Sequence, residues 1–199
     1  IMAADDDAQI LVGFKEKLNS QSYEKHVQNS TILEVMNTIK VKPGDTFHIP
    51  TGRVHAIGAG VLLAEIQQTS DITYRIYDYD RVDSKTGEKR DLHTEMAIEA
   101  IDFEVKESYQ THYELTENET SHLVHTPYFK TNLLSLNAEI ERDYNHLDSF
   151  VILMCVEGST MVTYKDYNYS LKLGQTMLLP AVVSNIRLEG KAKILEVNL

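Results

Sequence analysis

The sequence holds one cysteine, Cys155, in 199 residues. A lone thiol excludes an intrachain disulfide and fits a reducing compartment, so the cytoplasm is the expected location. No run of about 18 apolar residues occurs, so no membrane-spanning helix and no membrane partner are expected. Positive charge is scarce: 19 Lys and Arg stand against 30 Asp and Glu, for a formal net charge of −11. The basic residues form no cluster, which argues against a nucleic-acid partner. What is present is 42% hydrophobic and 25% charged, the balance of a globular chain long enough to build a core.

The pattern along the chain is mainly β with a few short helices. QILVGF (9–14), VLLAEIQ (61–67) and ITYRIYDY (72–79) read as strands. SYEKHVQNSTILEVMNTI (22–39) leans helical, with Ser and Thr as caps, and HTEMAIEAIDF (93–103) predicts a short helix. A polar stretch near 105–120 marks a boundary. Beyond it come short β runs separated by turn residues, the rhythm of an antiparallel sandwich or barrel. The opening, IMAADDDAQILVGF, reads as a strand, an acidic turn and a second strand, so the sequence is expected to start inside a structural unit. An incomplete barrel would expose strand edges through which two copies could pair.

One internal echo stands out. GDTFHIPTGRVH (44–55) and GQTMLLPAVVSN (174–185) share a Gly-x5-Pro spacing, with His55 answered by Asn185. This suggests two related β units, of which the second has lost the histidine.

His55 is the first chemical candidate. Neutral imidazole is a common zinc ligand, and a Gly-flanked loop presents it well. A loop histidine without a role is the plain alternative. The full pattern Gly44-x5-Pro50-x-Gly52-x2-His55 resembles the second motif of the cupin family. Next comes AEIQQTSDITYRIYDYDR (64–81), with Glu65, Asp71, Arg75 and Arg81. Carboxylates beside guanidiniums suit proton transfer next to a carbonyl, oxyanion stabilisation and phosphate binding, and they equally suit a surface ion-pair network. Cys155, inside VILMCVEG, reads as a buried small hydrophobe. His112, His122, His125 and His146 show no shared ligand spacing and read as surface or strand residues.

The run PTGRVHAIGAGVLLAEIQQTSDITYRIYDYDR (50–81) closely resembles the type I mannose-6-phosphate isomerase family of the cupin superfamily, in its bacterial short form. RDLHTEMAIEAIDF (90–103) fits the same family's strand-to-helix continuation, and IMAADDDAQILVGF its segment after a zinc-binding Glu. The match is good over residues 1 to about 105 and looser over 120–199. It implies cupin-type jelly-roll β-barrel units: residues 1–105 as the C-terminal part of a catalytic cupin domain whose first part is missing, and 120–199 as a second, degenerate unit. It implies an enzyme that interconverts mannose 6-phosphate and fructose 6-phosphate. By that resemblance His55 is a zinc ligand, Arg75 the catalytic arginine that also contacts substrate, Glu65 and Asp71 the proton-transfer or ring-opening acids, and Arg81 a phosphate contact. The remaining ligands of the one zinc ion would lie upstream of Ile1, leaving this chain with part of the metal site. The rival is a non-catalytic sugar-phosphate-binding cupin.

Overall fold

The structure, a computed structural model, describes residues 1–199. It divides into two compact units. One holds Ile1, Ala3–Leu62 and Thr69–Gln110; the other holds Met2, Leu63–Gln68 and Thr111–Leu199.

The elements of the first unit are β1 (Ala3–Ala4), β2 (Gln9–Phe14), α1 (Ser20–Gln28), α2 (Ile32–Val35), β3 (Met36–Lys40), β4 (His55–Ile57), β5 (Val61–Leu62) and α3 (Thr94–Ala97). β2 lies between β3 and β4, antiparallel to both, and β1 pairs with β5. Ile10, Val12 and Phe14 of β2 are buried, as strand alternation requires. Gly13 breaks the register opposite β3 with φ 65°; the Tyr109 ring fills the place its Cβ would take, and the Tyr109 hydroxyl donates to the Phe14 carbonyl at 3.0 Å.

The helix-leaning stretch 22–39 resolves into two helices and a strand. α1 starts at a reciprocal cap: Ser22 N–H donates to Asn19 Oδ1 and Asn19 N–H to Ser22 Oγ, both at 2.9 Å. It ends at Asn29, and Ser30 turns left-handed at φ 58°. Tyr23 is fully buried from α1 against Phe103, and burial pushes its phenol up to about 12. Residues 36–40 then join β2 as β3.

The expected strands at 61–67 and 72–79 largely do not form: only Val61–Leu62 pairs, and 72–79 has no strand assignment. Strand preference is realised by packing on a paired neighbour. The arm from 75 instead meets the returning arm of its own loop. His93 N–H donates to the Arg75 carbonyl at 2.7 Å, Val82 bridges Lys89, and Asp83 N–H donates to the Glu88 carbonyl at 2.8 Å. Tyr79 and Asp80 sit at φ 53° and 52°, outside the β region in which residues with a side chain pair.

The second unit is all strand: β6 (Thr120–His125), β7 (Lys130–Leu136), β8 (Ile140–Asp143), β9 (Val151–Tyr164), β10 (Tyr167–Lys172), β11 (Thr176–Leu179) and β12 (Asn185–Asn198). The order is β10-β9-β12-β7-β6, with β11 also on β9 and β8 on β12, all antiparallel. β9 and β12 are long and shared between two half-sheets. One half is β10, residues 159–164, 185–191 and β8; the other is β11, residues 151–155, 192–198, β7 and β6. The fold line runs through Gly158 and Gly190, where a Cβ would overlap the carbonyls of Lys191 and Ser159.

Between the half-sheets lies a core that includes Leu134, Leu153, Cys155, Val162, Leu188 and Ile194. Each such aliphatic chain contributes about 1.5–3 kcal/mol by leaving water. Cys155 is part of this packing, and burial pushes its thiol pKa up. Arg142 of β8 and Glu196 of β12 pair at 2.8 Å although their strands register ten residues away, Arg142 opposite Ile186. The pair therefore crosses the interior from one half-sheet to the other. The architecture is mainly β and of the cupin, jelly-roll type.

Candidate active site

His55 opens β4, opposite Val12 of β2. Its approach is fixed from behind. Gly52, at φ 86°, lies so close to the Ala100 carbonyl that a Cβ would overlap it. Arg53 is buried, paired to Asp102 at 2.5 Å and stacked over the Tyr109 ring at 5.0 Å. The Arg53 hydrogen bond, with that from Glu104 N–H, holds the Asp102 carboxyl below its ordinary range. The Arg53 carbonyl accepts from Nδ1–H of His55 at 2.9 Å. A carbonyl only accepts, so the neutral ring carries its proton on Nδ1 and presents the Nε2 lone pair. The ring is exposed. This is how a ligand imidazole is oriented.

Arg75 is clamped by His93 from both sides. His93 N–H donates to the Arg75 carbonyl at 2.7 Å, and Arg75 N–H donates to His93 Nδ1 at 3.1 Å. Its guanidinium reaches the Asp91 carbonyl at 3.4 Å. Three residues on, Asp78 is nearly buried and is gripped by Arg90 through Nε at 2.8 Å and through Nη2. Asp78 is held well below the usual carboxylate range, first by the Arg90 hydrogen bond and further by the charges of Arg90, Arg75 and Arg81. Arg90 is the guanidinium bonded to this carboxylate, and Arg75 and Arg81 act on it through their charges.

Arg75 and Arg81 both lie near enough to Asp78 for their charges to act on it. Asp71, in the same unit, is exposed and makes no hydrogen bond or ion pair; Glu65 is likewise exposed and lies in the segment 63–68 of the second unit. Asp78, Arg90 and His93 had escaped sequence reasoning. Their partners lie 12 and 18 positions away on opposite arms of a loop, and only a hairpin reading of 75–93 could have paired them.

Nowhere are three His, Cys, Asp or Glu side chains gathered to hold a metal ion. A catalytic zinc takes three protein ligands. His55 supplies one suitable nitrogen, so the residues of this chain do not by themselves fit the ion.

Comparison with known proteins bears on this arrangement. Residues 118–199 match the family model for the cupin domain of mannose-6-phosphate isomerase. Over 199 aligned residues the chain is 35% identical to mannose-6-phosphate isomerase ManA of Bacillus subtilis, covering 97% of this chain and 61% of that protein. Over nearly its whole length the chain is similar to mannose-6-phosphate isomerases. A mannose-6-phosphate isomerase of Streptococcus mutans is 28% identical over 196 residues, covering 98% of this chain and 61% of the relative. The crystal structure of the mannose 6-phosphate isomerase from Bacillus subtilis superposes with a TM-score of 0.90 at 30% identity, covering all of this chain and 63% of that one. The chain thus spans about three fifths of the length of the isomerases it matches.

Proposed function

We propose that this chain carries the arginine-bearing part of an aldose–ketose isomerase that interconverts mannose 6-phosphate and fructose 6-phosphate. The observation that carries the reading is Arg75, fixed on both backbone sides by His93 within a cluster of three guanidiniums. It is supported by the identity to isomerases across 97% of the chain.

The reaction moves a proton between C1 and C2 of the open-chain sugar. The carbon acid is weak, and the enediolate needs positive charge at its oxygens. Arg75 supplies a planar donor pair for that charge from an anchored backbone. Glu65 or Asp71 takes the proton from one carbon and returns it to the other; both are exposed carboxylates, and the two stay alternatives. Arg81 pairs with the substrate phosphate, which the protein's acidic bulk would otherwise repel. A zinc ion, where bound, would stabilise the sugar oxygens as a Lewis acid. In this chain His55 Nε2 is its candidate ligand.

The test is fructose 6-phosphate formation from mannose 6-phosphate, measured on the natural polypeptide that carries these residues. Arg75→Lys is expected to lower kcat by about 100-fold or more, the scale of losing an oxyanion donor. If mannose 6-phosphate raises the Tm but no fructose 6-phosphate forms with zinc supplied, the chain belongs to a sugar-phosphate-binding protein and the enzyme reading is overturned.

A further inference from the structure

We propose that His122, His125 and Asn132 form a binding site for a borderline divalent cation of the zinc, nickel and copper class, on the edge of the second unit's sheet.

The argument starts from register. Side chains alternate along a strand, so residues three apart point to opposite faces. His122 and His125 of β6 are three apart, and their spacing alone separates them. The ladder shows otherwise: His122 lies opposite Asn132, Val124 opposite Thr131 and His125 opposite Lys130. Leu123 is therefore the extra residue of a bulge, and it turns His125 to the face that His122 and Asn132 share.

The two rings converge on one point. His122 Nδ1 and His125 Nε2 each lie 2.9 Å from Asn132 Oδ1. The rings stand edge to face, centroids 4.7 Å apart at 76°. Asn132 is buried, at 6% exposure, while both imidazoles are open to solvent. Buried asparagine fixes the meeting point, and water has access to it.

Each histidine has a second ring nitrogen without a protein partner, His122 Nε2 and His125 Nδ1. A proton can move there through solvent, which frees both converging lone pairs. Both nitrogens point at Asn132 Oδ1 itself, so a cation enters when the rings turn until the two lone pairs and the amide oxygen meet at a point beside that atom. The ligand distances to nitrogen are then about 2.0–2.1 Å. Imidazole donors favour zinc, nickel or copper, whereas calcium and magnesium demand more oxygens. On β12, Glu196 lies opposite Asn132, but its carboxylate is committed to Arg142 and Tyr144, so it shapes the field without ligating. The remaining coordination positions fall to water.

The experiment is calorimetric titration of ZnCl2 into the chelator-treated protein, for wild type, His55→Ala, His122→Gln and His125→Gln. Glutamine can still hydrogen-bond Asn132, and circular dichroism checks that each variant folds. One zinc equivalent is expected for this site. It should persist in His55→Ala and weaken by about 10-fold or more in each glutamine variant. In 15N-labelled wild type, zinc should move the ring nitrogen signals of His122 and His125 together, a readout that survives even if a variant misfolds. Absence of binding in wild type, unchanged binding in both glutamine variants, or ring signals that do not respond to zinc would each overturn the proposal.

Discussion

Asp45 and Gln175 close the same turn in two different units. Asp45 N–H donates to the Lys42 carbonyl at 3.1 Å while its Oδ2 accepts from Lys42 N–H at 2.9 Å; Gln175 N–H donates to the Lys172 carbonyl and its Oε1 accepts from Lys172 N–H, both at 2.9 Å. Each follows a left-handed glycine, Gly44 at φ 93° and Gly174 at φ 78°. Downstream, Pro50 accepts from Arg53 N–H at 3.1 Å and Pro180 from Val183 N–H at 2.8 Å, and β4 and β12 then begin at His55 and Asn185. One module of turn, proline and strand is built twice, and one copy ends on an imidazole.

The two copies are expected to differ in cost when cut. Asp45 is buried and also receives Lys42 Nζ and Gln110 Nε2, each at 2.7 Å. Asp45→Ala strands those donors and should destabilise by about 1–3 kcal/mol, whereas Gln175→Ala removes one exposed bond worth about 0.5–1.5 kcal/mol. Urea unfolding monitored by circular dichroism measures both. Equal losses would mean that the charged contacts of Asp45 are spectators.

Acid should withdraw the stability that the Asp78 pairing supplies. The Asp78 pKa is depressed in the folded state, so its pairing contributes stability that is complete above the unfolded carboxylate value of about 3.9. That contribution is lost as pH falls through the lower folded value. Asp78→Asn should therefore reduce Tm at neutral pH and flatten the decline of Tm below about pH 4. Parallel declines for wild type and variant would show that Asp78 does not carry the linkage.

The sequence displays what repeats locally and hides what meets at a distance. β2 is legible because Ile10 and Val12 alternate into one core and Phe14 enters the next, and the strands of the second unit are legible by the same alternation. The runs at 61–67 and 72–79 have strand composition but, beyond Val61–Leu62, no paired neighbour, and composition does not report partners. His55 was visible through its glycine and proline frame. Its orientation through Arg53 was not, because Asp102 and Tyr109 come from far along the chain. His122 and His125 were set apart by their spacing, since a bulge at Leu123 leaves no mark in the order of residues.

His93 is expected to act on Arg75 without touching substrate. Its Nδ1 accepts the Arg75 amide proton, and alanine would leave that amide free while keeping the backbone bond from His93 N–H to the Arg75 carbonyl. His93→Ala should lower kcat by about 10-fold or more with little change in KM, since small misplacements of a catalytic group are costly. Asparagine places an oxygen close to the position of Nδ1, so His93→Asn should recover most of the loss. Equal defects in both variants would mean that His93 serves packing alone, beside Tyr74 at 6.1 Å.

The cross-barrel pair in the second unit makes the sharpest stability test. Glu196 is 3% exposed and binds Arg142 through Nη2 at 2.8 Å and Nε at 3.2 Å; the Tyr144 hydroxyl donates to the same carboxylate at 2.7 Å. Burial, then the Glu196 charge, push the Tyr144 phenol far up, so it stays a donor at every physiological pH. Glu196→Ala leaves Arg142 without its counter-charge and should cost about 3–5 kcal/mol. Replacing both members, Arg142→Met with Glu196→Leu, removes the desolvation penalty along with the attraction and should come out near neutral. A double variant as unstable as the single one would show that the pair also holds the two half-sheets at their spacing, through geometry that apolar side chains of similar volume do not reproduce.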